Sequence, residues 1–96
     1  MTYRITQSML EKRVEYLNKI TGSPETPWVR DADGNFTSNI GNYHLSGAYG
    51  GVSLHRMMNE SGGIEDVFSC GHTPKRELFN RLCSFIDGYE HCKRGE

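Results

Sequence analysis

The chain has 96 residues, a formal net charge of −1 and 24% charged residues, which suits one small domain spanning residues 1–96. No run of 18 apolar residues occurs and Met1-Thr2-Tyr3-Arg4-Ile5 is not apolar, so neither a membrane-spanning helix nor a signal peptide is expected. Eleven Lys+Arg against 12 Asp+Glu leave no basic excess, which argues against an extended nucleic-acid surface but not against one local basic pocket.

Leu10, Val14 and Leu17 recur at i, i+4 and i+7, and Ile20 extends the stripe, so an amphipathic helix is expected from about Gln7 to Ile20. Thr6 can cap its amino end, Glu15 and Lys19 form an i, i+4 pair, and Gly22 with Pro24 stops it. The pattern then changes. Trp28-Val29-Arg30 and Phe36-Thr37 flank Asp31-Ala32-Asp33-Gly34-Asn35 and read as a hairpin. Strand character resumes at Asn39-Ile40 and Asn42-Tyr43-His44-Leu45. The stretch Ser46-Gly47-Ala48-Tyr49-Gly50-Gly51 suggests a tight turn or bulge. Val52, Leu54, Arg56 and Met58 alternate with Ser53, His55 and Met57, a strand with Val52 and Leu54 facing inward. Asn59 to Gly63 is a turn, and Ile64 to Phe68 fits either a short edge strand or one helical turn.

Thr73 before Pro74 marks a second helix start. Leu78, Leu82, Phe85, Ile86 and Tyr89 form its apolar face, with Phe79 and Cys83 beside it. Gly88 weakens or ends this helix. Helices at both ends of a meander define an α+β fold, a small antiparallel sheet of three to four strands with both helices on one face. Six Leu, five Ile, four Val and four Phe make a thin core, which a partner subunit would complete. Three cysteines, Cys70, Cys83 and Cys92, cannot all pair within one chain, favouring free thiols in a reducing cytoplasm.

No complete catalytic or metal pattern stands out. Cys70-Gly71-His72 and His91-Cys92 lack zinc-module spacing, so no metal or other cofactor is expected. His44-Leu45-Ser46 resembles one half of a paired-histidine phosphoesterase, but His55 is followed by Arg56-Met57 and His72 by Thr73, so no second His-x-Ser/Thr unit appears. Neither a Gly-x-Ser-x-Gly elbow nor a phosphate loop is present. What remains is a candidate binding surface of Tyr43, His44, Tyr49, His55 and Arg56 among glycines, chemistry that suits a nucleotide or a protein partner.

The run Asn39-Ile40-Gly41-Asn42-Tyr43-His44-Leu45, then Gly47-Ala48-Tyr49-Gly50-Gly51, Leu54-His55-Arg56-Met57, Asn59-Glu60 and Gly62-Gly63, resembles a family of small uncharacterised bacteriophage proteins. Pro74-Lys75-Arg76-Glu77-Leu78 and Arg13, Leu17-Asn18 and Ile20-Thr21-Gly22 add to the resemblance. It implies a phage accessory protein working in the host cytoplasm and brings no fold, activity or cofactor with it. By analogy of genome context, such a protein inhibits a host defence system or host enzyme by stoichiometric binding. Two alternatives are sequestration of a nucleotide immune signal near Tyr43, Tyr49 and Arg56, and a phosphoesterase using His44 and His55.

A homo-oligomer is also expected, most simply a twofold dimer. Residues 39–53 contain no Lys, Arg, Asp or Glu. A solvated sheet face ordinarily interleaves charge, so this face, with Tyr43, Tyr49 and Met57 placed on it, fits burial against another subunit.

Overall fold

The computed structural model describes residues 4–94. Helix α1 (Gln7–Thr21) begins where Thr6 adopts an extended backbone and its Oγ1 accepts from the Met9 N–H at 3.2 Å. It ends at Gly22 in the left-handed region, φ 69°, whose N–H reaches back to the Lys19 carbonyl. The sequence-derived cap, apolar stripe and stop all hold, with the end one residue later than expected. Strands β1 (Trp28–Arg30) and β2 (Phe36–Ser38) pair antiparallel as a separate two-stranded hairpin. Asp31 organises its turn: Oδ1 accepts from the N–H groups of Asp33 and Asn35, both at 2.9 Å.

Strands β3 (Tyr43–Ala48), β4 (Gly51–Met57) and β5 (Ile64–Asp66) form an antiparallel sheet in the order β3-β4-β5. Asn39 to Asn42 is a turn rather than strand: the Asn42 N–H donates to Asn39 O at 3.1 Å and Gly41 has φ 95°. The expected tight turn after β3 is two residues, Tyr49 at φ 54° and Gly50 at φ 75°, and the strands run right up to it. Ile64 to Asp66 resolves as the edge strand. Helix α2 (Lys75–Arg94) closes the chain. It runs through Gly88 rather than ending there. A helical glycine costs about 0.5–1 kcal/mol. Two bonds to α1 hold the turns around it: Tyr89 Oη donates to Ile20 O at 3.4 Å, and Tyr16 Oη donates to Glu90 Oε2 at 2.6 Å.

Both helices pack on one face of the three-stranded sheet. That face is Tyr43 and Leu45 on β3 with Val52 and Leu54 on β4, and it meets Leu10, Val14 and Leu17 of α1 and Leu78, Leu82 and Ile86 of α2. Each fully buried leucine or isoleucine there contributes about 1.5–3 kcal/mol, and this cluster is the bulk of the apolar stabilisation. The placement of Tyr43 on the second sheet face is thereby corrected. Tyr43 shares the parity of Leu45 and is buried against Phe85, ring centroids 6.3 Å apart. The thin aliphatic supply recruits it inward. Met57 does lie on the second face but is itself buried.

The β1–β2 hairpin, whose ladder the Asn39 N–H extends by donating to Pro27 O at 2.8 Å, meets the β4–β5 turn: Ser38 Oγ donates to Asn59 O, and the Trp28 ring lies so close to Gly62 that a Cβ there would stand 2.6 Å from it. Phe36 is 64% exposed and Trp28, Val29 and Ile40 are also exposed. The radius of gyration, 14.4 Å, exceeds the roughly 12.5 Å usual for this length, as a projecting hairpin and a sheet with helices on one side only require.

Candidate functional site

The face of the sheet opposite the helices is polar. Antiparallel register sets His44 opposite His55, Ser46 opposite Ser53, and His55 opposite Asp66 on β5. Residues at alternate positions share a face, so these five groups stand together. The His44 and His55 rings are 5.8 Å apart, edge to face. The half-motif His44-Leu45-Ser46 therefore has a counterpart, Ser53-Leu54-His55, read in the opposite chain direction. A search for a second His-x-Ser in forward order misses it, because antiparallel pairing reverses the order. The signal available in the sequence was the mirror spacing about the Tyr49-Gly50 turn.

A third imidazole joins from the β5–α2 loop. His72 lies 6.1 Å from the His55 ring, and its Nε2 is 3.4 Å from Ser46 Oγ. Two features deliver it. Asp66 Oδ2 accepts from the Gly71 N–H at 2.8 Å and shapes the loop, while Thr73 and Val52 exchange two backbone hydrogen bonds at 2.8 Å. Gly51 allows the approach: a Cβ there would stand 3.0–3.1 Å from the His72 and Thr73 backbone. Tyr49, fully exposed at 100%, reaches the same end, its ring 6.3 Å from His72.

The local electrostatics differ among the three. Asn42 donates its amide N–H to Pro24 O at 2.8 Å, which turns its Oδ1 toward His44 Nδ1 at 3.2 Å. That contact places the His44 proton on Nδ1 and leaves Nε2 as an acceptor. Burial, then the neighbouring His55, lowers the His44 pKa. Burial also lowers that of His55, with His72 acting the same way and Asp66 opposing both. Ser53 is 1% exposed and its hydroxyl has no hydrogen-bond partner, nor has the buried Oδ1 of Asp66. Unpaired buried polar atoms cost about 1–3 kcal/mol each, and they recur where a ligand completes the set.

The five sequence-derived residues divide into two groups. His44 and His55 stand on the polar face with Tyr49 at its end. Tyr43 and Arg56 stand on the helix side, the guanidinium 5.2 Å over the Tyr43 ring. Tyr43 and Tyr49 are six strand positions apart, about 20 Å, so a pocket shared by Tyr43, Tyr49 and Arg56 does not form. Ser53 and Asp66 are the members the sequence reading did not offer as candidates, while Ser46 entered only as the end of the His44-Leu45-Ser46 half-motif and His72 only in incomplete metal and phosphoesterase patterns.

Among the described residues no group of three or more His, Cys, Asp or Glu side chains is arranged to hold a metal ion. Cys70 sits in the β5–α2 loop and Cys83 and Cys92 on α2, all three as free thiols. No helix among the described residues is long and apolar enough to cross a membrane. Comparison with protein-family models, curated proteins and solved structures gives no match to this chain.

Proposed function

We propose that the protein acts by stoichiometric binding, that the histidine face is its binding surface, and that the ligand is a phosphate-bearing molecule of the nucleotide class. The observation that carries this is the convergence of His44, His55 and His72 with Ser46 and a buried, unpartnered Ser53 hydroxyl on one sheet face. Neutral imidazoles and hydroxyls offer several N–H and O–H donors to phosphate oxygens, and the approach of the anion draws protons onto the rings. The exposed Tyr49 ring offers a stacking surface for a base at the edge of the site. The resemblance to phage proteins puts this binding in an infected host, where holding a nucleotide signal away from its receptor inhibits a defence system.

The same geometry is compatible with turnover. His44 Nε2 would act as base and His55, supported by Asp66, as acid on a phosphodiester. Thermal-shift measurements with inorganic phosphate, 5′-AMP and cyclic dinucleotides test the binding reading, since a ligand of the native state must raise Tm. The expected result is a rise that His44→Ala/His72→Ala removes. No shift from any of them at millimolar concentration overturns it. Appearance of hydrolysis products in the same mixtures replaces sequestration with the phosphoesterase reading.

A second reading, inhibition through a protein–protein contact or assembly into a homo-oligomer, is favoured by the exposed Trp28, Val29, Phe36 and Ile40 on and beside the projecting hairpin. It predicts that Phe36→Ser/Val29→Ser abolishes activity in infected cells, or converts an oligomer to the 10.9 kDa monomer by sedimentation, without lowering Tm.

A further inference from the structure

Strand β3 is an outer strand, and its register fixes where its backbone groups point. Met57 N–H donates to Asn42 O, so His44, Ser46 and Ala48 bond across to β4, while Tyr43, Leu45 and Gly47 direct their N–H and C=O groups away from the sheet. Asn18 of α1 occupies the first of these positions: Nδ2 donates to Tyr43 O and Oδ1 accepts from Tyr43 N–H, both at 2.9 Å. That amide does what one residue of a neighbouring strand would do. Beyond it, no described residue pairs with Leu45 or Gly47.

Along this edge runs a groove of about 460 Å³ between α1 and β3. Val14, Tyr43 and Leu45 give it apolar walls, and Glu11, Glu15 and Glu25 stand around it with no Lys or Arg among its described lining. Glu11 and Glu15 are one helical turn apart on α1, and no ion pair among the described residues neutralises them. An unpaired strand edge invites a further strand, and carboxylates beside it select the sign of charge that strand carries.

We propose that this groove binds an extended segment of a partner protein with alternating basic and apolar residues, which adds to β3 as a fourth strand. Its backbone pairs with Leu45 and Gly47, its apolar side chains lie on Val14 and Leu45, and its Lys or Arg side chains meet Glu11, Glu15 and Glu25. His44 lines the end of this groove as well as the histidine face, so the two sites adjoin, but strand addition at Leu45 and Gly47 does not depend on the histidine face binding a nucleotide.

The test uses the full chain and two blocked peptides, acetyl-(Lys-Val)4-amide and acetyl-(Glu-Val)4-amide. Affinity is read by fluorescence anisotropy and location by amide hydrogen exchange. Binding of the lysine peptide alone, with slowed exchange at Leu45 and Gly47, is expected. Glu11→Lys/Glu15→Lys should weaken it about tenfold. Gly47→Pro removes one outward N–H, which an edge strand tolerates, and should abolish the protection at unchanged Tm. Equal binding of both peptides, or no slowing at Leu45 and Gly47 at millimolar peptide, overturns the proposal. So does a dimer joined through β3 that the lysine peptide fails to displace, since the occupant is then a second copy of this chain.

Discussion

The carboxamide of Asn18 and the backbone of Tyr43 satisfy each other completely. One side chain donates to the carbonyl and accepts from the N–H, both bonds are 2.9 Å, and both residues are buried. Helix α1 is thereby keyed to the start of β3, and the apolar stripe Leu10-Val14-Leu17 is set in register over the sheet.

Replacing Asn18 tests that keying. Asn18→Ala leaves a buried N–H and a buried C=O without partners, and each costs about 1–3 kcal/mol. A loss of about 2–4 kcal/mol in urea unfolding is expected, larger than for an exposed Glu15→Ala on the same helix. A change below 0.5 kcal/mol, on the order of an ordinary surface substitution, would show that Asn18 does not hold the helix to the sheet.

Two glycines should respond in opposite directions. At Gly51 a Cβ meets the His72–Thr73 backbone at 3.0–3.1 Å, so Gly51→Ala should lower Tm and shift the His72 imidazole resonances. At Gly88, inside α2 with open space around it, Gly88→Ala should stabilise by about 0.5–1 kcal/mol. Calorimetry of the two variants checks both signs.

Tyr49 occupies a left-handed turn position, φ 54°, that a bulky residue adopts at a cost of about 1 kcal/mol, and it is fully exposed. Packing gives no reason for a tyrosine there. Tyr49→Asn, a residue suited to the turn, should raise stability by about 0.5–1 kcal/mol while weakening nucleotide binding. If the variant is stabilised and binds as before, the ring has no part in the site.

Stability should also depend on pH in a definite direction. The folded pKa values of His44 and His55 lie below the usual imidazole value, chiefly through burial. The unfolded chain therefore takes up protons first. The corresponding stability is present above about pH 6.5 and is lost as pH falls through that value toward the folded pKa values. Tm should be flat near neutrality and fall on acidification, and His44→Gln/His55→Gln should flatten the fall. Phosphate, which favours imidazolium, should bind more tightly as pH falls.

Local signals along the chain were sufficient for the first helix, the apolar face of the second and the first hairpin, whereas the continuation of α2 through Gly88 and the narrowing of the Ser46–Gly51 stretch to a two-residue turn were not legible. Thr6, Gly22, Asp31 and Gly50 act through bonds and dihedrals within a few residues, and the stripes of Leu10, Val14 and Leu17 and of Leu78, Leu82 and Ile86 follow from helical period alone. The histidines and Ser46 were visible as residue types. Their meeting was not. Whether His44 faces His55 depends on the register of two strands, and whether His72 joins them depends on the path of a loop held by Asp66 and passing over Gly51. Tyr43 and Arg56 were separated from that group by strand parity combined with the core's need for an aromatic ring, a demand set by which face the helices cover. Short-range order is written in spacing, because the groups that enforce it are neighbours in the chain. The site is assembled from residues up to 28 positions apart, His44 to His72, and only the packing of helices on one side of the sheet decides which of them share the other.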